Sequence, residues 1–348
     1  MFSWLPSWKA TSAEKLELAE RDLLSTAITC NYESKMLDLG DGTCIRTFIF
    51  KPSEQPAPQT CPLVMMHGFG ATSLCYHKNF GALCADRTVI SFDLPGFGRS
   101  SRFDFTPDAE AAEEEFVKTI ERWREAMEIE QFILLGHSFG AFLACCYGIK
   151  HPSHVRHIVL VDPWGFAEGP TSENADTALM ELPDGIRMAV KINKVFTFYP
   201  LTPIRVAGPL GLSLLHRTRQ DLVRYLGESF VTYLYHCNAQ TPSGEAGYYH
   251  MQYLYGWAKC PILPRIDQLR DSIGITLIKG SHSWLDNEHT IDHIQLKRPA
   301  AYFASHTVHA GHHLYAEKNI SFNILVKSTC VIIDDGGDLA TSGADRSE

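Results

Sequence analysis

Phe132-Ile133-Leu134-Leu135-Gly136-His137-Ser138-Phe139-Gly140-Ala141-Phe142-Leu143-Ala144-Cys145-Cys146-Tyr147 changes character at its middle. The run 131–137 holds four consecutive apolar residues at 132–135, the mark of a strand buried on both faces. The stretch 139–150 is apolar and small-residue-rich, free of proline and long enough for three helical turns. Between them Gly136-His137-Ser138-Phe139-Gly140 fits G-x-S-x-G. In that motif a sharp strand-to-helix turn holds a serine in a strained conformation and lifts its hydroxyl above a sheet. The five residues alone are a common coincidence; their place between a buried strand and a helix is what makes Ser138 a candidate nucleophile.

Outward from this junction the chain keeps the same rhythm. Strands are expected at 62–67, 88–93 and 155–162, with helices at 73–85 and 109–127 between them. After a long interruption come a helix at 262–270, a strand at 275–279, a helix at 288–297, a strand at 302–308 and a closing helix beyond Gly311. Alternation of this kind predicts a mostly parallel sheet with helices on both faces. Upstream, two further strand-like runs, 35–39 and 44–50, flank the hairpin signal Gly40-Asp41-Gly42. Residues 165–259 break the rhythm with several prolines and read as an inserted lid. The organisation expected is therefore an arm at 1–30, a core of 31–164 and 260–333, the lid at 165–259, and a Gly- and Asp-rich flexible tail at 334–348.

Acyl transfer from a serine needs three more things: a base, an acid to orient it, and two fixed N–H donors for the oxyanion. His67-Gly68-Phe69-Gly70 follows the strand at 62–67, so the backbone N–H groups of Phe69 and of Phe139, the residue after the nucleophile, are the candidate oxyanion hole. His309-Ala310-Gly311-His312-His313 follows the last strand; Gly311 lets the loop turn inward, which selects His312 among 16 histidines as the base. The acid is sought after the penultimate strand, where Asp286 stands 26 residues before His312, with Glu288 and Asp292 as nearby rivals. The order Ser…Asp…His is that of the α/β-hydrolase fold. The run Asp93-Leu94-Pro95-Gly96-Phe97-Gly98-Arg99-Ser100 reads as a structural turn at the pocket floor, lacking the lysine of a phosphate-binding loop.

Composition bounds the alternatives. Thirty-one Lys and Arg against 40 Asp and Glu leave a formal charge of −9, and no basic run marks a nucleic-acid surface. Ten cysteines show no C-x-x-C pair, and free thiols in a reducing compartment are expected. No metal or organic cofactor is called for. Apolar stretches are strand-sized, so no membrane span is expected. Trp4 and Trp8, four apart, would share one side of a helix and suit the interface between headgroups and acyl chains; two exposed or locally packed indoles are the alternative.

Leu135–Gly140, Val161-Asp162-Pro163-Trp164-Gly165-Phe166, the lid segment Tyr235–Glu245, Tyr255-Gly256-Trp257-Ala258-Lys259 and Gly311–Ala316 together resemble the α/β-hydrolase domain-containing protein 4 and protein 5 family. The resemblance extends from Trp4 to about Cys330. It implies a cytoplasmic enzyme acting on lysophospholipids or N-acyl phosphatidylethanolamines, peripheral on lipid droplets or endoplasmic reticulum membrane through a Trp-rich arm. The alternatives it carries are a non-catalytic lipid-droplet adaptor that regulates a lipase, and a lysophosphatidic acid acyltransferase. The adaptor branch replaces the nucleophile by Asn, whereas Ser138 is kept here. Glu317 stands where the acyltransferase motif has Asp, Ala71 where a further glycine is usual, and His282 where the lipase-activating branch has Arg; a lipase partner is not expected.

Overall fold

Apolar residues of the central strands alternate between two faces, and this alternation builds the molecule. The computed structural model describes residues 10–54, 57, 60–170, 199–253, 256–285 and 287–335. Eight strands form one sheet: β1 (Tyr32–Asp38), β2 (Cys44–Phe50), β3 (Leu63–Met66), β4 (Val89–Phe92), β5 (Phe132–His137), β6 (Val155–Val161), β9 (Gly274–Gly280) and β10 (Phe303–Val308). They lie in the order β1-β2-β4-β3-β5-β6-β9-β10. β1 and β2 pair antiparallel, as do β2 and β4; every pair from β4 to β10 is parallel. The mostly parallel sheet with helices on both faces is thus as expected, and each parallel crossover supplies one of those helices.

On one face Val64, Met66, Leu134, Ile158 and Leu277 meet α3 (Ala109–Ala126) and α4 (Phe139–Lys150). On the other, Leu63, Met65, Ile133, Leu135 and Val159 share a core with α1 (Ala13–Ala27), with α12 (Asn319–Asp334) and with helices from the 165–259 stretch. α1 and α3 start on side-chain caps: Ser12 Oγ accepts from Lys15 N and Asp108 Oδ1 from Ala111 N. Within the described part of 165–259 the helices are α5 (Thr202–Val206), α6 (Gly211–Thr218), α7 (Gln220–Leu226), α8 (Glu228–Asn238) and α9 (Gly244–Met251).

The elements differ from expectation where side chains capture the backbone. The helix expected at 73–85 is a 3-10 turn, Ser73–Tyr76, followed by the short α2, Phe80–Leu83. Asp93 Oδ1 takes both the N–H and the hydroxyl of Ser73, at 2.8 and 2.7 Å, fixing the start of that turn. Asn79 donates to Tyr315 O and Asn323 Oδ1, both at 2.9 Å. The segment 262–270 is likewise a 3-10 helix, Leu263–Gln268, with proline in its first turn. A small hairpin of β7 (Gln252–Tyr253) and β8 (Trp257–Ala258) lies outside the main sheet. α10 (Glu288–Lys297) and the four-residue α11 (Leu314–Glu317) complete the described helices named here. Asp334, expected in a loose tail, ends α12 with its carboxylate on Cys61 N at 3.0 Å and on Arg87 at 2.9 Å. No helix among the described residues is long and apolar enough to cross a membrane.

Candidate active site

Ser138 sits where β5 gives way to α4 with φ +53° and ψ −116°, a conformation that costs a residue with a Cβ roughly 1–3 kcal/mol. The surrounding glycines have steric reasons. A Cβ on Gly136 would lie 2.3 Å from Gly140 O, and one on Gly140 would lie 2.6 Å from both Met66 O and His67 O. Only bare backbone lets the turn close this tightly against β3. Ser138 N donates to Val161 O at 3.0 Å and Trp164 N donates to Ser138 O at 3.3 Å, which seats the turn between the residues that flank Asp162. The side chain is almost wholly buried.

His312 follows β10, and its Nδ1 meets Asp162 Oδ2 at 2.5 Å. A carboxylate only accepts, so Nδ1 carries the proton and Nε2 is left as the basic nitrogen. Asp162 was not among the residues selected from the sequence, where the acid was sought after the penultimate strand. It lies after β6, fully buried, with φ +44°. Its charge is met by Ser283 Oγ on Oδ2, and on Oδ1 by Asn287 Nδ2 at 3.2 Å and Gly280 N at 3.4 Å. The donors come from the last residue of β9 and the segment that follows it, so the loop expected to supply the acid packs against Asp162. Asp286 itself lies outside the described residues, as do Trp4 and Trp8. The one signal for Asp162 was its position at the end of a buried strand, before a proline.

Ser138 Oγ and His312 Nε2 do not form a hydrogen bond in this state. Catalytic bonds of this kind often tighten only around a bound substrate. The His312 ring lies 4.6 Å from that of His137, the residue before Ser138. His137 also binds the His312 carbonyl through Nε2 at 2.9 Å, so Nε2 carries its proton. Burial first, then the neighbouring imidazoles of His312 and His313, hold His137 well below the usual histidine range. His313 is pushed down to about 3, again chiefly by burial; its Nε2 accepts from Arg219 at 2.9 Å. Of three clustered imidazoles, two are therefore held neutral. Trp284 is exposed, with its ring 5.4 Å from that of His312, at the mouth of the site.

Phe69 and Phe139 both come to the site. Their backbone N–H groups have no backbone acceptor among the described residues. The loop 67–70 is held from beneath by His67, whose Nε2 accepts from Leu94 N at 2.9 Å while Nδ1 donates to Gly68 O at 2.8 Å. Above it Tyr248 of α9 stacks on Phe69 at 4.2 Å and meets Phe139 edge-on at 5.0 Å, with Trp164 4.8 Å away. These rings pack into an aromatic, apolar cluster beside the loop. Asp93 does serve the turn that follows it: Oδ2 accepts from Arg99 N at 2.9 Å, and Ser100 Oγ donates to its carbonyl at 2.6 Å.

The model of the α/β-hydrolase fold family matches residues 62–319. The chain is 41% identical over 330 residues to the human 1-acylglycerol-3-phosphate O-acyltransferase ABHD5, covering 93% of this chain and 92% of that protein. It is 40% identical over 330 residues to the human (lyso)-N-acylphosphatidylethanolamine lipase, covering 93% and 94%. Among solved structures, a bacterial membrane phospholipase A superposes with a TM-score of 0.61 at 16% identity, covering 92% of each chain. The thioesterase domain from the curacin pathway superposes at 0.58 with 19% identity, covering 85% of this chain and 99% of that one. These two likenesses carry the fold alone.

Proposed function

The chain belongs to the α/β-hydrolase family, and from that premise we propose that it is a serine hydrolase cleaving acyl esters of phospholipid-like substrates, lysophospholipids or N-acyl phosphatidylethanolamines. The observation that carries this is a serine held at φ +53° on the strand-to-helix turn after β5, beside strand ends where His312 Nδ1 is bonded to a buried carboxylate. Lipid substrates are supported by similarity to the (lyso)-N-acylphosphatidylethanolamine lipase.

In the cycle proposed, His312 Nε2 takes the Ser138 proton as Oγ attacks the ester carbonyl. Charge developing on the carbonyl oxygen is met by the N–H groups of Phe69 and Phe139. The imidazolium formed is stabilised by the carboxylate on Nδ1 and returns its proton to the departing alcohol. Water, activated by the same imidazole, then releases the fatty acid from the acyl-enzyme. The carboxylate role is proposed for Asp162 on its contact; Asp286, from the sequence, is the competing assignment. Trp4 and Trp8 are proposed to touch the lipid surface from which substrate is drawn.

The test is hydrolysis of a panel of lysophospholipids and N-acyl phosphatidylethanolamines by wild type and Ser138→Ala. Wild type is expected to release fatty acid, and the variant to lose about 10⁴-fold or more of that rate. Folded Ser138→Ala protein with undiminished turnover would overturn the assignment. Acyl transfer from acyl-CoA to lysophosphatidate that survives Ser138→Ala would favour the acyltransferase reading, for which the human ABHD5 relative is named.

A further inference from the structure

We infer that Asn238, in the 165–259 segment, is a positioning residue for the oxyanion loop, so that this segment sets the rate of the chemical step as well as covering the site. The inference rests on the proposed role of the Phe69 N–H.

Asn238 is the last residue of α8, nine-tenths buried. Its Nδ2 donates to Gly70 O at 2.7 Å, the carbonyl one residue beyond Phe69. Gly70 has φ +65°, so the loop turns back on itself at the point where Asn238 grips it. On its other flank the loop leans on Ala71 N, which donates to Gly68 O at 3.2 Å. Asn238 is itself held. Its carbonyl accepts from Arg205 Nη1 at 3.1 Å, and Arg205 forms an ion pair with buried Glu245 at 2.7 Å. Glu245 also accepts the N–H of Leu201, just ahead of α5. The chain of contacts thus runs from Leu201 through Glu245 and Arg205 to Asn238, and ends on the backbone of the oxyanion loop. Tyr248, stacked on Phe69, holds the same loop from the side. An oxyanion donor works only if it is already aimed when charge develops. Displacement of such a group by about 1 Å is enough to cost on the order of a hundredfold. Asn238 touches no reacting atom; it acts through Gly70.

The experiment compares wild type with Asn238→Asp, which keeps the shape but replaces the donor by an oxygen facing the Gly70 carbonyl. With a soluble short-chain ester, kcat is expected to fall about ten- to hundredfold while KM changes less than about twofold. Affinity for a trifluoromethyl ketone, whose serine adduct carries an oxyanion, is expected to fall by the same factor as kcat/KM. Affinity for a non-reactive ether analogue is expected to stay put. Should Asn238→Asp not fold, neutral Asn238→Ser carries the same expectations. A folded variant with wild-type kcat and ketone affinity overturns the inference. So does one that loses ketone and ether affinity alike, since that describes general loosening. If wild type reacts at Ser138 with a fluorophosphonate, such a result sinks Asn238 alone; if wild type does not react, the hydrolase reading fails and takes this inference with it.

Discussion

The competition between Asp162 and Asp286 turns on what a single nitrogen of His312 feels. Asp162 presents a carboxylate to Nδ1 at 2.5 Å and is saturated by Ser283, Asn287 and Gly280 donors, which is the environment an ionised buried carboxylate requires. In Asp162→Asn the amide can turn its N–H toward His312 and favour the tautomer protonated on Nε2, which cannot accept the Ser138 proton. A fall of about 10⁴ in kcat with the fold intact is expected, against a smaller loss for Asp286→Asn. Steady-state kinetics on the two variants decides it; the reverse ranking would hand the role to Asp286. The same cluster predicts the shape of the pH profile. Because burial keeps His137 and His313 neutral, the acid limb of kcat/KM should fall with a slope of one proton. A slope of two would mean that a second imidazole of the cluster titrates with the base.

The elements carrying Ser138, His312, Phe69 and Phe139 were legible because each has a local signature: strand, glycine, then the candidate residue. Asp162 was harder to find because the contact on which its role is proposed comes from the register of β6 against β9, a pairing with no local trace. Asn238 was hidden for a similar reason; it ends a helix in an irregular stretch, and its partner Gly70 lies 168 positions away. The arm shows the same limit. Within the arm expected at 1–30, Glu20 of α1 is buried. It receives Arg46 at 3.0 and 2.9 Å, Arg99 at 2.5 Å and Tyr233 at 3.3 Å. The helix is therefore bolted to β2 and α8. Removing one partner of such a pair strands the other's charge, so Glu20→Ala should destabilise by about 3–5 kcal/mol. Urea unfolding measures this, and a loss below about 1 kcal/mol would class the cluster with surface pairs.

Across the whole molecule the buried histidines make stability depend on pH in one direction. His67, His77, His137, His157 and His313 are all shifted below the ordinary value of 6.5, in each case chiefly by burial. His77 is lowered to about 4, and His157 and His313 to about 3. Unfolding exposes each ring to water, where it takes up a proton below 6.5 that the folded state refuses. The unfolded state then binds more protons, so stability rises with pH through this window and is lost as pH falls from 6.5 toward 3. Each such group contributes a slope approaching about 1.4 kcal/mol per pH unit once the pH is well below 6.5. His157 isolates the effect, being remote from the site, with Nε2 on Thr276 Oγ1 at 2.9 Å and Nδ1 buried without a partner among the described residues. His157→Gln is expected to flatten the dependence of unfolding free energy on pH by about one proton between roughly pH 5 and 6, whatever it does to stability at neutral pH. Urea titrations across that interval supply the slopes. Parallel lines for the two proteins would mean that His157 charges inside the fold, and that burial does not govern its protonation.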